Sequence, residues 1–451
     1  MLDQAIARFS ELVWGPWLVI ALVGGGFALG ILSRFQPLRH CYRAWALIAS
    51  SKQTSTRTGT HLSAWQTLSS ALSGTLGMGN IAGVAAAISI GGAGAVFWMW
   101  ISALAGMNTK FFTGTLSVLY SRRNRQNQRY GGMMYVLQDG LGRPGKWLAC
   151  IFALAGAIGF LPALATNQLV QFLVETSANY TPIDLPRFSL RLCIGLGIAV
   201  VTAIVIYGGI QRISRIASLL TPWMVILYLF AVFTSLYAFR SELLHALTSI
   251  FTEAFSTQAL LGGAQGAIFI GVRRAALSNE AGIGTDTLVH ALAQPKHAAM
   301  QGLVSMLGPV IDTLCVCTCT ALVILVSKAN HQVDYQGVML TAHAFSLAMP
   351  TMGLSMVGLC AIFFSLSTIF TFAYYGSQCA RFLFGSKSQA LYTIIYLITI
   401  VLVSVVPMLS IINLIDAAYG CMAVPTLIGI FLLKSRVFKS WNEYRTTIQA
   451  T

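Results

Sequence analysis

Long apolar runs separated by short polar segments extend through the whole chain. They predict membrane-spanning helices, because a bilayer core takes about 20 apolar residues per helical crossing. We place eleven spans, at 12–32, 65–90, 92–119, 147–174, 190–209, 217–239, 258–277, 298–327, 352–380, 388–406 and 410–433. The half-polar stretch from Tyr335 to Pro350 is too short to cross and predicts a surface or re-entrant helix.

The composition agrees with a polytopic membrane protein. Of the 451 residues, 56% are hydrophobic and 9% are charged, whereas soluble proteins carry about 25% charged residues. The chain starts with MLDQ and has no basic n-region, so we interpret its first apolar run as an anchor rather than a cleaved signal. Nine cysteines include no C-x-x-C pair, which argues against a disulfide scaffold or a zinc site.

The basic residues predict the orientation. Of the 28 Lys and Arg residues, 22 fall in alternate connections: 34–64, 121–146, 210–216, 273–297, 381–387 and 434–451. The positive-inside rule therefore places the N-terminus outside and the C-terminus in the cytoplasm, as expected for a bacterial inner (plasma) membrane. Lys110, within the third span, is expected to extend toward the cytoplasmic interface. The formal charge of +15 is then an orientation signal, and no nucleic-acid partner is expected.

Two spans are interrupted by glycines. The second contains the segment from Ser73 to Asn80, with three glycines in six residues, and the seventh contains Gly262 to Gly266. Unwound segments free N–H and C=O groups, which suit an anionic carboxylate and a small cation. The alternative is that the glycines only permit close helix packing.

After the first span, the chain divides into five spans plus five, and each half opens with an interrupted helix. An odd number of spans per half forces opposite orientations, the inverted repeat of many secondary transporters. The predicted division is an N-terminal helix and basic loop (1–64), two five-helix repeats (65–257 and 258–434) and a cytoplasmic tail (435–451). The pattern predicts a solute transporter, with a channel as the alternative. Without G-x-S-x-G or H-E-x-x-H, a membrane enzyme is disfavoured.

Several segments resemble one known family. They read SGTLGMGNIAGVAAAISIGGAGAVFWMWISALAGMNTKF (73–111), GGMMYVLQDGLG (131–142), GVRRAALSNEAGIG (271–284), QGLVSMLGPVIDTLCVCTCTALVIL (301–325) and FSLSTIFTFAYYG (364–376). They are similar, in the same order, to the alanine or glycine:cation symporters (sodium:alanine symporters). The resemblance implies import of alanine, glycine or D-alanine, coupled to sodium or, in some members, to protons. It also implies the all-α inverted-repeat fold of the amino acid–polyamine–organocation superfamily.

The same resemblance implies a substrate site. The unwound first core helix would offer the backbone amides of Gly77, Met78 and Gly79 to the substrate carboxylate. Further candidates for substrate contact are Thr75, Asn80, Asn167, Gly263, Gly266 and Phe372. The chain departs from the family pattern where a Gln is common two residues before Asn167, since Ala165 stands there. It departs again at Phe372, where a Trp is common.

The resemblance also implies a sodium site and no other cofactor. The carbonyls of Ser73 and Leu76 and the hydroxyls of Ser367 and Thr368 would bind the ion, since neutral oxygens suit a hard monovalent cation.

Ionisable residues inside spans are rare and suggest function. Asp312 and Asp416 are candidate proton or ion relays, with a paired structural carboxylate as the alternative. We expect Glu280 at the cytoplasmic mouth beside Arg273 and Arg274, in a gate or helix-end salt bridge.

Overall fold

The computed structural model describes residues 2–51, 62–124, 127, 129–180, 186–256, 266–331, 335–406 and 409–449. Within these ranges the chain is almost entirely helical, and the only sheet is a two-stranded antiparallel ribbon that pairs Arg122 with Tyr130.

The described part of the first half of the chain contains eleven α-helices, one short π-helix and two short strands. The elements are α1 (Leu2–Val13), α2 (Pro16–Leu32), α3 (Gln36–Arg39), α4 (Cys41–Ser51), α5 (Ala64–Thr75), π1 (Gly79–Gly83), α6 (Val84–Gly91), α7 (Gly94–Leu119), β1 (Arg122–Arg123), β2 (Arg129–Tyr130), α8 (Met133–Gly159), α9 (Ala163–Tyr180), α10 (Arg187–Ile206) and α11 (Gly209–Ala238).

The second half contains a second π-helix and the longest helices. The elements are α12 (Leu243–Ala254), α13 (Ala267–Asn279), α14 (Thr287–His290), α15 (Ala298–Ser305), α16 (Leu307–Pro309), π2 (Val310–Cys317), α17 (Thr318–Val326), a 3₁₀ turn (Ala329–His331), α18 (Val338–Ala348), α19 (Gly353–Phe384), α20 (Ser388–Val405) and α21 (Leu409–Gln449). Helix α21 runs without a break past residue 434, where we predicted the tail to begin.

The predicted fold class is confirmed. Among the described residues, eight helical segments are long and apolar enough to cross a membrane, and the bent pair α5 and π1–α6 makes a ninth. Two of the eleven predicted spans are not among these nine. One is α7, which is 26 residues long, and the other is α13, which has 13 residues and follows a stretch outside the described ranges.

Contacts bring several predicted cytoplasmic segments together on one face of the molecule. The His40 and Trp441 rings lie 5.2 Å apart, and Arg129 Nη1 donates to the Ala293 carbonyl at 2.7 Å. We call this the basic face, and it comprises residues 34–51, 121–124, 127, 129–146, 290–297 and 434–449.

The opposite face carries other connections. There Lys328 Nζ lies 2.9 Å from Glu242 Oε2, which joins the segment after α17 to the start of α12. Which of the two faces meets the cytoplasm stays a prediction.

Two details differ from the sequence-based expectations, and a third favours one of two alternatives. Helix α18 has Val338, Leu340, Ala342 and Phe345 buried, which favours the re-entrant alternative over the surface one. The predicted span at 147–174 is interrupted between α8 and α9.

Lys110 does not extend to an interface. It is 3% exposed, and its Nζ lies 3.6 Å from Asp286 Oδ2. The counter-charge of Lys110 is the buried carboxylate of Asp286, from a distant part of the chain. The sequence close to Lys110 therefore did not reveal this pairing.

Candidate substrate and ion site

The first broken helix lies at the centre of the site. Helix α5 ends at Thr75, and Leu76 then takes an extended conformation (φ −69°, ψ 91°). The chain resumes as π1 and α6 after a bend of 53°. Inside the break, the Gly77 N–H donates to Asn80 Oδ1 at 2.9 Å. The predicted interruption is therefore present, and it leaves backbone groups available for a ligand.

A cavity of about 590 Å³ lies beside the break. Its wall includes four of the predicted substrate-contact residues of this segment: Thr75, Gly77, Met78 and Gly79. Ser89, Ile90 and Gln336 also line it, and these three residues are exposed. They belong to the far end of α6 and to the segment before α18, so the cavity opens toward the face opposite the basic face.

Helix α19 packs against the break through hydroxyl groups. Ser73 Oγ donates to the Ser367 carbonyl at 3.0 Å, and Ser367 Oγ lies 3.3 Å from the Ser73 carbonyl. Thr368 Oγ1 donates to the Phe364 carbonyl of its own helix at 2.9 Å. The structure thus brings Ser73, Ser367 and Thr368 together, and Leu76, buried, lies one turn from Ser73.

Gly77 is required by this close approach. A Cβ built on Gly77 would lie 2.6 Å from Thr368 Oγ1, which is shorter than a van der Waals contact. The Thr368 hydroxyl therefore reaches the unwound backbone only because residue 77 has no side chain.

Asn80 faces away from the cavity. Its Nδ2 donates to Asp312 Oδ1 at 2.7 Å, and its carbonyl accepts from Thr320 Oγ1 at 2.8 Å. Asp312 Oδ2 also accepts hydrogen bonds from Ser278 at 3.0 Å and Thr313 at 2.8 Å. No cationic side chain in the described ranges forms an ion pair with Asp312.

These contacts join three elements. Asn80 belongs to π1, Ser278 to α13 and Asp312 to π2, so one buried carboxylate connects the first broken helix and α13 to the eighth predicted span. Asp312 is a hydrogen-bonded carboxylate, as the structural alternative predicts. A relay role for Asp312 stays a prediction.

The other predicted substrate residues are placed differently. Asn167 donates to the Val403 carbonyl at 3.3 Å and is not part of the cavity wall. Gly266 begins α13 outside the wall as well, and Gly263 lies outside the described residues. Phe372 lines the cavity, where its ring packs 5.5 Å from Phe160. It lies one turn nearer the basic face than Thr368, in the floor of the cavity.

The charged residues have partners that the sequence did not predict. Arg273 Nη2 lies 3.0 Å from Asp416 Oδ2. Among the described residues Glu280 forms no salt bridge with Arg273 or Arg274, so the salt-bridge alternative is not present, while a gate role for Glu280 stays a prediction. Glu280 is 2% exposed and accepts hydrogen bonds from Tyr419 at 3.0 Å and from Thr285. Asp416 and Tyr419 both belong to α21, 143 and 139 residues after their partners, so nearness in sequence to Arg273 and Arg274 did not reveal them.

The extra N-terminal helix contacts this ion pair. Trp14, at the end of α1, donates through Nε1 to the Asp416 carbonyl at 2.7 Å, and the Arg273 guanidinium lies 5.7 Å from its ring centroid. Asp416 also lines the cavity, so α1 supports one wall of the site.

A polar cluster closes the molecule beneath the cavity, toward the basic face. Asp286 pairs with Lys110 and accepts a hydrogen bond from Ser305 Oγ at 2.6 Å. Gln301 Nε2 donates to Thr67 Oγ1 of α5 at 2.9 Å and lies 2.5 Å from His290 Nδ1.

His290 lies in the connecting segment between α13 and α15. Burial lowers the pKa of His290 to about 4. The ring is therefore neutral near pH 7, and the cluster carries its charge only on the Lys110–Asp286 pair.

Sequence reasoning missed several residues of the site. Thr371 bonds to Ser73 Oγ at 3.0 Å, and its position three residues after Thr368 on one helix was a usable signal. Gln168 lines the cavity, and its Oε1 has no partner among the described residues. It lies one turn after Ala165, on the same helix. Tyr419 gave no local signal.

Similarity to known proteins shows the family to which the chain belongs. The sequence profile of the sodium:alanine symporter family matches residues 1–451. The chain belongs to the sodium:alanine symporter family. It is 35% identical to the sodium/alanine symporter AgcS of Methanococcus maripaludis, over 97% of this chain and 96% of that protein. The predicted family is therefore confirmed.

Two further relatives carry names that indicate different substrates or coupling ions. The chain is 34% identical to the putative sodium/proton-dependent alanine carrier protein YrbD of Bacillus subtilis, over 82% of this chain and 76% of the relative. It is 29% identical to the probable sodium/glutamine symporter GlnT of the same organism, over 98% and 91%.

A solved structure shares the fold. MhsT in complex with L-phenylalanine has a TM-score of 0.58 and 15% sequence identity, covering 84% of this chain and 89% of that one. At this identity the likeness shows the fold alone. Family and fold together make the protein a multi-pass membrane protein and a secondary amino acid transporter. The family is one of transporters rather than enzymes, and among the described residues no His, Cys, Asp or Glu group could hold a metal ion.

Proposed function

We propose that this protein imports a small neutral amino acid, alanine, glycine or D-alanine, together with sodium. The observation that carries the proposal is the junction of Ser73, Ser367 and Thr368 beside the unwound backbone of Gly77, at the edge of the cavity. The similarity to the sodium/alanine symporter AgcS supports it.

The ion would be held by oxygen atoms without formal charge. The Ser73 and Leu76 carbonyls lie where α5 ends, and the Ser367 and Thr368 hydroxyls now bond to carbonyls of the same helix or of α5. A small rotation of each hydroxyl points its lone pairs at a cation, which then replaces the hydrogen bond. Sodium binding would in this way fix α5 against α19.

The substrate carboxylate would lie at the N-terminal end of π1 and α6. Gly77, Met78 and Gly79 line the cavity there. The Gly77 N–H already donates to Asn80 Oδ1, so the N–H groups of Met78 and Gly79 would receive the anion at this helix start. The amino and side-chain groups would then face Gln168 and Phe372 across the cavity. Ala165 and Phe372 depart from the family pattern, so we expect them to set which amino acid is preferred.

Transport would proceed by alternating access. The cavity opens to one face, while the contacts of Thr67 with Gln301 and of Lys110 with Asp286 close the other. With the basic face in the cytoplasm of a bacterial cell, the structure corresponds to a form open to the outside. Opening toward the cytoplasm requires α5 to leave Gln301. The Arg273–Asp416 pair, beside the cavity, would serve as part of the outer gate.

The test is uptake by purified protein in liposomes. An inward sodium gradient should drive accumulation of radiolabelled alanine above the external concentration, and dissipating the gradient should abolish it. Parallel arms replace sodium by lithium or by an inward proton gradient, and replace alanine by glycine, D-alanine or glutamine. Accumulation under a proton gradient alone would establish the proton-coupled alternative, and saturable flux without accumulation would indicate a channel. Failure of every substrate under every gradient would overturn the proposal.

A gate role for Glu280 is tested in the same system. Glu280→Gln keeps the size of the side chain but removes its charge, so the Tyr419 and Thr285 contacts weaken. We expect maximal uptake rate to fall while the alanine concentration for half-maximal uptake changes little. A change in that concentration alone would place Glu280 among the substrate contacts.

A further inference from the structure

A second recess lies on the basic face, away from the substrate cavity. Its volume is about 620 Å³. Its walls come from the β-ribbon, the start of α11, the end of α19 and the start of α20. The neighbouring recess of about 470 Å³ shares Tyr130, Arg381 and Ser386 with it.

Two arginines line the recess without a carboxylate partner in the described part of the chain. They are Arg129 and Arg381, and the Arg381 guanidinium lies 4.3 Å from the Tyr130 ring centroid. The acidic residue of the neighbourhood, Asp139, is already bound by Arg122 through two contacts of 2.9 and 2.5 Å.

The charge of Arg129 is poorly compensated. Burial and the nearby Arg123 lower the pKa of Arg129, which is the effect of positive charge held without a counter-ion. Its Nη1 donates to the Ala293 carbonyl, and its Nε has no partner within the described residues.

A buried amide also faces this space. Gln378 lines the recess and is 4% exposed, and its Oε1 has no hydrogen-bond partner in the ranges that the structure describes. Rotation of the amide presents either its oxygen or its NH₂ group to a ligand. An unpaired acceptor in a buried wall is costly, so a phosphate ligand that also offers a donor, such as a P–OH group or a head-group hydroxyl, would stabilise it.

The start of α20 adds a further positive field. This helix begins at Ser388 and has 18 residues, and Ser386 and Gln389 at its start line the recess. The Ser388 and Gln389 N–H groups donate to the Gly385 and Ser386 carbonyls at 3.3 and 3.4 Å, so it is the positive end of the helix dipole that favours a phosphate or another anion here.

We propose that this recess binds a phosphate group, carried either by an anionic phospholipid or by a soluble phosphate. Arginine forks match phosphate oxygens, and basic pockets between helices near the cytoplasmic surface of a membrane take lipid head groups. Leu62, just before α5, also lines the recess. A bound phosphate would therefore hold together elements next to α5 and favour the form closed toward the basic face.

The binding experiment uses the full-length protein with two probes. In the lipid arm, the protein is purified from nanodiscs of phosphatidylcholine with or without phosphatidylglycerol, and retained lipid is counted by native mass spectrometry. In the soluble arm, the thermal midpoint is followed against inorganic phosphate at constant ionic strength. Phosphatidylglycerol retention identifies the lipid as the source, and a phosphate-dependent rise of the midpoint identifies a soluble one.

Variants decide whether the recess is the site. Arg381→Gln and Gln378→Met should each weaken the positive response by about tenfold, since each removes one hydrogen bond to a charged group. Gln378→Met leaves the charge unchanged, so its effect separates a specific site from general attraction to a basic surface. Arg436→Gln, an exposed arginine on α21 at the same face, is the control and should bind as wild type. No response to either probe, or equal responses in all four proteins, would overturn the proposal.

Discussion

The broken helix α5–π1 meets its neighbours at two junctions that differ in kind. Toward α19 the hydrogen bonds are made by the neutral oxygens of Ser73 and Ser367, and the Thr368 hydroxyl lies beside Gly77. Toward π2 they are made by the carboxylate of Asp312, which accepts hydrogen bonds from three elements. The hydroxyls at the first junction can turn toward a cation, whereas the donors at the second are already used. The charged residue is thus the more fixed part of the site.

The difference between the two junctions bears on which residues would couple the proposed sodium ion to transport. A carboxylate inside a span attracts attention as a relay. Asp312 is fully buried, but its hydrogen bonds hold π1, α13 and π2 together. We call these contacts the carboxylate junction and those of α5 with α19 the hydroxyl junction.

The largest effect is expected from Asp312→Ala. It leaves the donors of Asn80, Ser278 and Thr313 unpaired, at about 1–3 kcal/mol each. The thermal midpoint should fall strongly and uptake should be lost, while Asp312→Asn, which keeps an acceptor, should be milder in both. A stable Asp312→Ala protein that had lost only its ion dependence would make the carboxylate an ion ligand and break the comparison.

A smaller but more selective effect is expected at the hydroxyl junction. Thr368→Ala removes one proposed sodium ligand and should raise the sodium concentration for half-maximal uptake by about tenfold or more, as for a lost bond of about 1.5 kcal/mol to a charged group. Substrate affinity at saturating sodium should change less. Ser365→Ala is the control, because Ser365 Oγ is buried on the same helix without a partner in the described ranges. Equal losses in the two variants would argue against the ion assignment.

Gly77→Ala tests the close approach at the same junction. The added methyl group would lie 2.6 Å from Thr368 Oγ1, so the hydroxyl must shift by several tenths of an ångström. We expect a severalfold higher sodium requirement with a modest fall in the thermal midpoint. In π1, nothing lies within 4 Å of a Cβ built on Gly83. Gly83→Ala should therefore leave sodium dependence unchanged, and a matching loss there would indicate a general effect on the break.

The smallest effect is expected from Thr320→Val, at the edge of the carboxylate junction. Thr320 Oγ1 donates to the Asn80 carbonyl at 2.8 Å, and its loss should cost about 1 kcal/mol of stability. Uptake and its sodium dependence should be preserved, as measured by thermal unfolding and by uptake over a sodium series. A raised sodium requirement in this variant would show that the two junctions act as one unit.

Much of the hydroxyl junction was predictable. Ser73 lies at the glycine-rich break, and Ser367 and Thr368 belong to a motif that resembles the family pattern. The spacing of Thr371 from Thr368 was also informative. The residues that face away from the cavity were less predictable. Asn80 and Asn167 carry amides of a kind that suits a substrate, but they bond to Asp312 and to the Val403 carbonyl.

The sequence by itself determined nine of the eleven predicted spans, the position of the first break and the membership of the family. Hydrophobic runs and glycines act within a few residues, so a local pattern is enough to reveal them. Only the tertiary structure decided the partners of the polar groups. Arg273 pairs with Asp416, 143 residues away, and Asn80 with Asp312, 232 residues away. Such pairing depends on which faces of separate helices meet, and packing of the whole bundle sets those faces.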